Sequence, residues 1–229
     1  MIKASFAPVV HSGDDVSVHG VDLRPNDAVE AACLALLDPE ERARAARFKV
    51  AAPRRQFVVT RGALRLLLAS HVGYEPEALT LAAGRHGKPY LVVDGAPSEL
   101  AFNVSHSADR ALIAIGRGPI GIDIELLGRE ADFDLVAKGV FTQAEQKALR
   151  QRAGAERRAL FFRLWTQKEA LIKAKGCGFA YPPRQFGLPD ALVGGERRAA
   201  FSFPGEAAVW QVTDLSEGDY AAALAQASS

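Results

Sequence analysis

Two acidic residues alternate with isoleucines in the run Gly121-Ile122-Asp123-Ile124-Glu125. A strand turns alternate side chains to one face, so Asp123 and Glu125 stand together while Ile122, Ile124 and Leu126 point the other way. Carboxylates side by side repel one another, and burial makes this worse. A hard cation with oxygen ligands relieves the repulsion. Taken alone, the same pattern fits an amphipathic strand with a solvated acidic face. A second run, Phe161 to Phe179, reads FFRLWTQKEALIKAKGCGF. On a helix Glu169 and Lys173 share a face four residues apart, with Lys168 beside Glu169. Phe162, Trp165, Leu171 and Ile172 can bury the remaining surface. Alone, this is a core helix with a Glu–Lys surface pair worth a few tenths of a kcal/mol.

Two further runs carry polar groups suited to phosphate. In Phe102-Asn103-Val104-Ser105-His106-Ser107, serine and histidine are adjacent. A nucleophilic dyad needs contact between them, and neighbours along a strand point apart. At a strand end the pair is better suited to donate hydrogen bonds to phosphate oxygens; alone it is equally a turn with a half-buried histidine. Gly87-Lys88-Pro89 fixes a turn from which Lys88 projects as a point charge.

The elements that must position these groups follow from periodicity. Val16 to Leu23 alternates as a strand, and helices are predicted over Asp27–Leu37, Glu40–Phe48 and Pro53–Val72. In the last of these Phe57, Leu64 and Leu68 fall on one face and Arg54, Arg61 and Arg65 on another. Short strands follow at 79–81, 90–93, 101–104 and 111–115, separated by Gly, Pro, Asn and Asp. Gly116 to Pro119 is the best junction. Beyond it the pattern repeats: a strand at Ile120–Leu126, helices near 134–138, 143–152 and 156–175, then strands at 200–203, 209–214 and 220–225. Gly176 and Gly178 end the last helix and Pro182-Pro183 keep it ended. The expectation is an α+β protein of two similar α/β halves, 1–117 and 118–229, with a frayed tail from Gln226.

A net charge of +1 over 229 residues argues against a nucleic-acid partner recruited by global charge. Cys33 and Cys177 lie far apart with no zinc or disulfide spacing, which fits a reducing cytoplasm. Met1 to Val10 has no run apolar enough for a secretory leader, and no stretch is long and apolar enough to span a membrane.

The order GKP, FNVSHS, GIDIE, WTQKEALIK resembles the 4′-phosphopantetheinyl transferases, in the monomeric type of the surfactin-synthetase activator. The likeness is close over Gly87 to Phe179 and looser before it. It implies two halves related by a pseudo-two-fold axis with coenzyme A in the cleft between them. The first half would supply nucleotide and phosphate contacts, and the second the metal and catalytic residues. Asp123, Glu125 and Glu169 would hold Mg²⁺ (or Mn²⁺), and Lys173 would contact the attacked phosphate. Lys88, Pro89, Ser105 and His106 would meet the coenzyme, Lys168 would line the site, and Glu145 would orient water or assist proton removal. A plain helix N-terminal glutamate accounts for Glu145 equally well. Arg44 and Arg55, with Arg54 close behind, would meet the 3′-phosphate and adenine nucleotide, although Glu41 stands where the family often has a base.

The implied reaction is attack of a carrier-protein serine on the β-phosphorus of coenzyme A, releasing 3′,5′-ADP. The proton acceptor, Glu169 or a metal-bound hydroxide, stays open. The implied partners are apo acyl, peptidyl or aryl carrier domains met by a monomer. A Mg²⁺-dependent phosphohydrolase or nucleotidyl transferase would use the same carboxylates, and a non-enzymatic module binding coenzyme A or a carrier is the third reading.

Overall fold

A computed structural model describes residues 8–13, 15–84, 87–128, 133–178 and 181–228. Phe179, the end of the lysine-rich motif, and Ser229 lie outside the described residues. The first half opens with β1 (Val9–Ser12) and β2 (Val16–Asp22), then helices α1 (Asp27–Ala35), α2 (Pro39–Ala46) and α3 (Ala51–Val72). A 3-10 turn at Pro76–Ala78 leads into a small sheet of β3 (Thr80–Ala83), β4 (Pro89–Val93) and β5 (Ala96–Pro97). The hairpin of β6 (Leu100–Ser107) and β7 (Arg110–Arg117) completes a four-stranded antiparallel sheet ordered β1-β2-β7-β6.

The second half runs β8 (Ile120–Leu126), α4 (Phe133–Val140), α5 (Gln143–Arg150), α6 (Gly154–Lys175) and the short α7 (Asp190–Gly194). It closes with β9 (Arg198–Phe201), β10 (Trp210–Asp214) and β11 (Tyr220–Ala227), in a second antiparallel sheet ordered β8-β11-β10-β9. Each half thus sets an early strand beside its last one, β2 by β7 and β8 by β11. Between them on the chain comes a 22-residue helix.

Three apolar clusters hold these parts together. Val58, Leu64 and Leu68 of α3 pack on Ile113 and Ile115 of the first sheet. Leu164, Leu171 and Ala174 of α6 pack on Ala221, Ala223 and Ala225 of the second. Between the sheets, Val16, Val18, Leu112 and Ala114 meet Ile120, Ile122, Ile124 and Leu224. The three isoleucines of β8 are 0–3% exposed, each burial stabilising by about 1.5–3 kcal/mol. The isoleucine face of β8 therefore glues the two halves, which leaves its other face to Asp123 and Glu125.

Several elements depart from the periodicity. Gln226 is no frayed tail residue: it pairs with Ile120 and Gln211, and the Ser228 N–H donates to the Val209 carbonyl. The strand expected to stop at Val104 continues through Ser107, because β7 pairs with it along that whole length. Arg65, placed by periodicity on a polar face of α3, is fully buried. Its guanidinium donates to Asp38, to Glu41 and to the Pro76 and Leu79 carbonyls, which satisfies a fork of fixed donors. Glu41 also closes a capping box with Asp38 and pairs with Arg61. The acid that stands where a base was expected is thus the clamp between α2 and α3.

Candidate active site

The site begins with a glycine. A Cβ on Gly121 would lie 2.1 Å from the Ala170 carbonyl oxygen and 2.4 Å from the Ala174 nitrogen. Only a residue without a side chain lets β8 lie backbone-to-backbone on α6. Two residues on along the same face, Asp123 then comes under the helix. Lys173 Nζ donates to Asp123 Oδ1 at 2.7 Å, to Ser105 Oγ at 3.0 Å and to the Ile122 carbonyl at 3.2 Å. Lys175 turns the other way, pairing with Glu206 and lying 4.4 Å over the Phe203 ring.

Opposite β8 runs β6, and its alternate side chains Asn103, Ser105 and Ser107 reach across. Asn103 Oδ1 accepts from the Ile122 N–H at 2.8 Å. Ser105 Oγ donates to Asp123 Oδ1, and Ser107 Oγ to Glu125 Oε2, each at 2.8 Å. Ser107 Oγ also accepts from the Leu126 N–H at 3.1 Å. Serines two apart on one strand thus address carboxylates two apart on the next. Sequence reading assigned Ser105 to phosphate and passed over Asn103 and Ser107, although the period of two puts all three on one face. His106 points away from them and is exposed.

Asp123 is 5% exposed, and its Oδ2 is buried with no hydrogen-bond partner. Glu169 has its pKa raised, first by burial and then by the negative charge of Asp123 and Glu125, against the pull of Lys173. The three acids therefore feel one another. Among the described residues no three His, Cys, Asp or Glu side chains already stand at metal-binding spacing. The donor set nevertheless fits a hard divalent cation: all-oxygen ligands, mutual repulsion to be relieved, and an orphaned carboxylate oxygen.

Beside the seam lies a pocket of about 340 Å³ between α2, α3 and the starts of β4 and β6's far end. Arg44, Phe57, Thr60, Arg61, Pro89 and His106 line it. The Arg44 and Arg61 guanidinium groups sit 4.7 and 5.9 Å from the Phe57 ring centre, and the Thr60 hydroxyl is buried without a partner. Burial lowers the pKa of Arg61. Arg44, Pro89 and His106 come together here, and Arg61, one turn beyond Phe57, joins them. Arg55 is placed elsewhere: its Nε donates to the Leu23 carbonyl at 3.0 Å, and Arg54 pairs with Glu30.

Three more of the expected residues have protein partners. Lys88 Nζ donates to the Ile120 and Lys173 carbonyls, both at 2.8 Å. Lys168 is fully buried, and its ammonium meets Glu145 at 2.9 Å and the Pro183 and Phe186 carbonyls at 2.9 and 2.6 Å. Burial lowers the Lys168 pKa while Glu145 opposes that shift. Glu145 also accepts from the Leu188 N–H and closes a capping box with Thr142. Lys168 and Glu145 are therefore brought to each other inside the second half rather than to Asp123. On α6, Lys168 lies about 140° around from Lys173 at 3.6 residues per turn.

A carboxyl raised in pKa beside two further acids, a lysine bonded to one of them and an arginine-lined pocket are, as a class, the equipment of enzymes that handle anionic substrates. The comparisons narrow that class. Residues 119–225 match the family model of the 4′-phosphopantetheinyl transferase superfamily, and residues 23–116 match that of the 4′-phosphopantetheinyl transferase N-terminal region. The chain is 38% identical to the 4′-phosphopantetheinyl transferase HetI of Nostoc sp., over 73% of this chain and 71% of that one. It is 29% identical to a 4′-phosphopantetheinyl transferase of Bacillus subtilis over 76% of each. With AcpT of Salmonella typhimurium it shares 35% over 49% of this chain and 56% of the relative. The chain belongs to the 4′-phosphopantetheinyl transferase superfamily and is an enzyme of that kind.

Proposed function

We propose that the enzyme moves 4′-phosphopantetheine from coenzyme A to a serine of an apo acyl, peptidyl or aryl carrier protein, releasing 3′,5′-ADP, in a Mg²⁺-dependent reaction. The observation that carries the reading is the seam where Lys173, Asp123 and Glu169 meet. Asp123 there has one buried carboxylate oxygen without a hydrogen-bond partner, while Lys173 donates to the other oxygen of the same carboxylate. The order shared by three strands of each sheet, β2-β7-β6 and β8-β11-β10, supports halves related by a pseudo-two-fold axis, 1–117 and 118–229, with coenzyme A across their junction.

In this reading the Arg44, Arg61 and His106 pocket takes the adenine nucleotide, with Phe57 as its apolar floor and Arg44 at the 3′-phosphate. Asp123, Glu125 and Glu169 hold Mg²⁺ (or Mn²⁺), which when bound supplies charge neutralisation at the pyrophosphate. Ser105 and Ser107 orient the first two of these carboxylates. Lys173 donates to the phosphate oxygen that gains charge as the carrier serine attacks. In this reading Glu169 accepts the serine proton. No described helix is long and apolar enough to cross a membrane, and a cytoplasmic monomer meeting diffusible carriers fits the reaction.

The test is to incubate the protein with coenzyme A, Mg²⁺ and an apo-carrier, then weigh the carrier with and without a chelator. A carrier heavier by one phosphopantetheine only when free Mg²⁺ is present is the expected result. An unchanged mass across a panel of acyl, peptidyl and aryl carriers would overturn the assignment.

A further inference from the structure

Lys173 is held at both ends by the first half of the chain. Its ammonium meets Ser105 on β6, and its main-chain carbonyl accepts from Lys88, which sits in the turn before β4. That carbonyl is one of the last four of α6, which ends at Lys175 with Gly176 in the left-handed conformation. Such carbonyls have no partner within their own helix. A cation there is favoured by the negative end of the helix dipole as well. The second Lys88 bond goes to the Ile120 carbonyl, three residues before Asp123 on β8. One ammonium thus spans the end of α6, the start of β8 and the turn of the other half.

Resting on the reaction proposed above, we infer that Lys88 is a positioning residue: its ammonium pins the last turn of α6 to the start of β8, setting the spacing at which Lys173 meets Asp123. Each of its two bonds is at ordinary length for a charged donor, so two of the three ammonium N–H groups are taken by main-chain carbonyls. Burial pushes the Lys88 pKa down to about 8, as expected of a lysine held within the seam. The arrangement separates two roles that a lysine in a glycine–proline turn can have. A phosphate ligand adds to coenzyme binding, whereas a strut behind Lys173 acts on the rate.

Lys88→Met keeps the length of the side chain and removes the donors. Displacing a group at the reacting phosphate by a fraction of an ångström to an ångström lowers kcat by roughly 10- to 100-fold. The KM for coenzyme A should stay within about threefold of wild type, and the loss should be equal for dephospho-coenzyme A. A raised KM with kcat preserved would make Lys88 a ligand of the coenzyme and overturn the inference. Hydrogen exchange followed by mass spectrometry provides a readout that needs no coenzyme or carrier. In Lys88→Met, the amides of the last turn of α6 and the start of β8 should lose protection while those of α3 keep theirs. Unchanged exchange at those two places would also overturn the inference, whether or not the assigned reaction stands. Should the methionine variant fail to fold, Lys88→Gln, which retains a donor, is measured in the same way.

Discussion

Lys168→Met should destabilise the second half by about 3–5 kcal/mol, the range for breaking a buried ion pair from one side. The reason is local. Lys168 is 0% and Glu145 2% exposed, and the three N–H groups of the ammonium are spent on Glu145 and two carbonyls. Methionine fills the volume but leaves the Glu145 carboxylate buried with no countercharge, and the Pro183 and Phe186 carbonyls short of a donor. For a chain of this size that loss corresponds to a fall in Tm of about 6–20 °C. Glu145→Gln should destabilise as well, by stranding the ammonium. The double variant should lose less than the sum, with a coupling of about 1–3 kcal/mol. Unfolding can be followed by fluorescence, since Trp210 belongs to the same apolar cluster as α6 and Trp165 packs against it. A Lys168→Met variant that melts like wild type would refute the reasoning. If it also lost turnover, Lys168 would return to the reaction centre.

Gly121→Ala should cost about 3 kcal/mol or more, because its methyl would overlap the backbone of α6 rather than a movable side chain; a wild-type Tm would contradict that packing. Asp123→Asn should cut activity steeply and raise the Mg²⁺ needed for half-maximal rate, and wild-type activity at limiting Mg²⁺ would remove Asp123 from the ligands. Lys173→Ala should lower kcat by on the order of 10²- to 10³-fold, whereas Lys175→Ala, whose ammonium lies over Phe203, should leave turnover near wild type; equal losses would mean the helix supplies only a general positive field. Burial holds the Lys88 pKa at about 8, below that of the same lysine in the unfolded chain. Above about pH 8 the unfolded chain therefore keeps a proton that the fold has released, so wild-type stability should rise with pH relative to Lys88→Met up to roughly pH 10. Urea unfolding of both proteins across that window measures the difference, and a difference that falls as pH rises would contradict the sign.

The alternation in β8 and the spacing of Glu169 and Lys173 were legible because they need only the periods of a strand and a helix. The break between β7 and β8 was legible from Gly118 and Pro119. What lay beyond reach were partners set by tertiary contact. Nothing local distinguishes Lys168, buried against Glu145, from an exposed lysine one position before Glu169. Arg65 reads as a polar-face arginine until Asp38, Glu41 and two carbonyls from a later turn close around it. Ser107 was within reach of the same alternation that placed Ser105, but only the register of β6 against β8 shows that Glu125 waits opposite. The tail was misjudged because Gln226 and Ala227 are ordered by β10, a partner that weak terminal hydrophobicity does not announce.

In the proposed reaction this seam transfers phosphopantetheine rather than cleaving or merely binding the coenzyme. It is tested most directly by stoichiometry in a single reaction of the wild-type protein with coenzyme A, Mg²⁺ and an apo-carrier. Carrier mass and free nucleotide are measured at the same time points. One 3′,5′-ADP should be released for each carrier that gains a phosphopantetheine, with neither product appearing when the carrier serine is replaced by alanine. Nucleotide released while the carrier mass stays unchanged would make the protein a phosphohydrolase, and coenzyme bound with neither product formed would make it a binding module. Either result would overturn the proposed transfer.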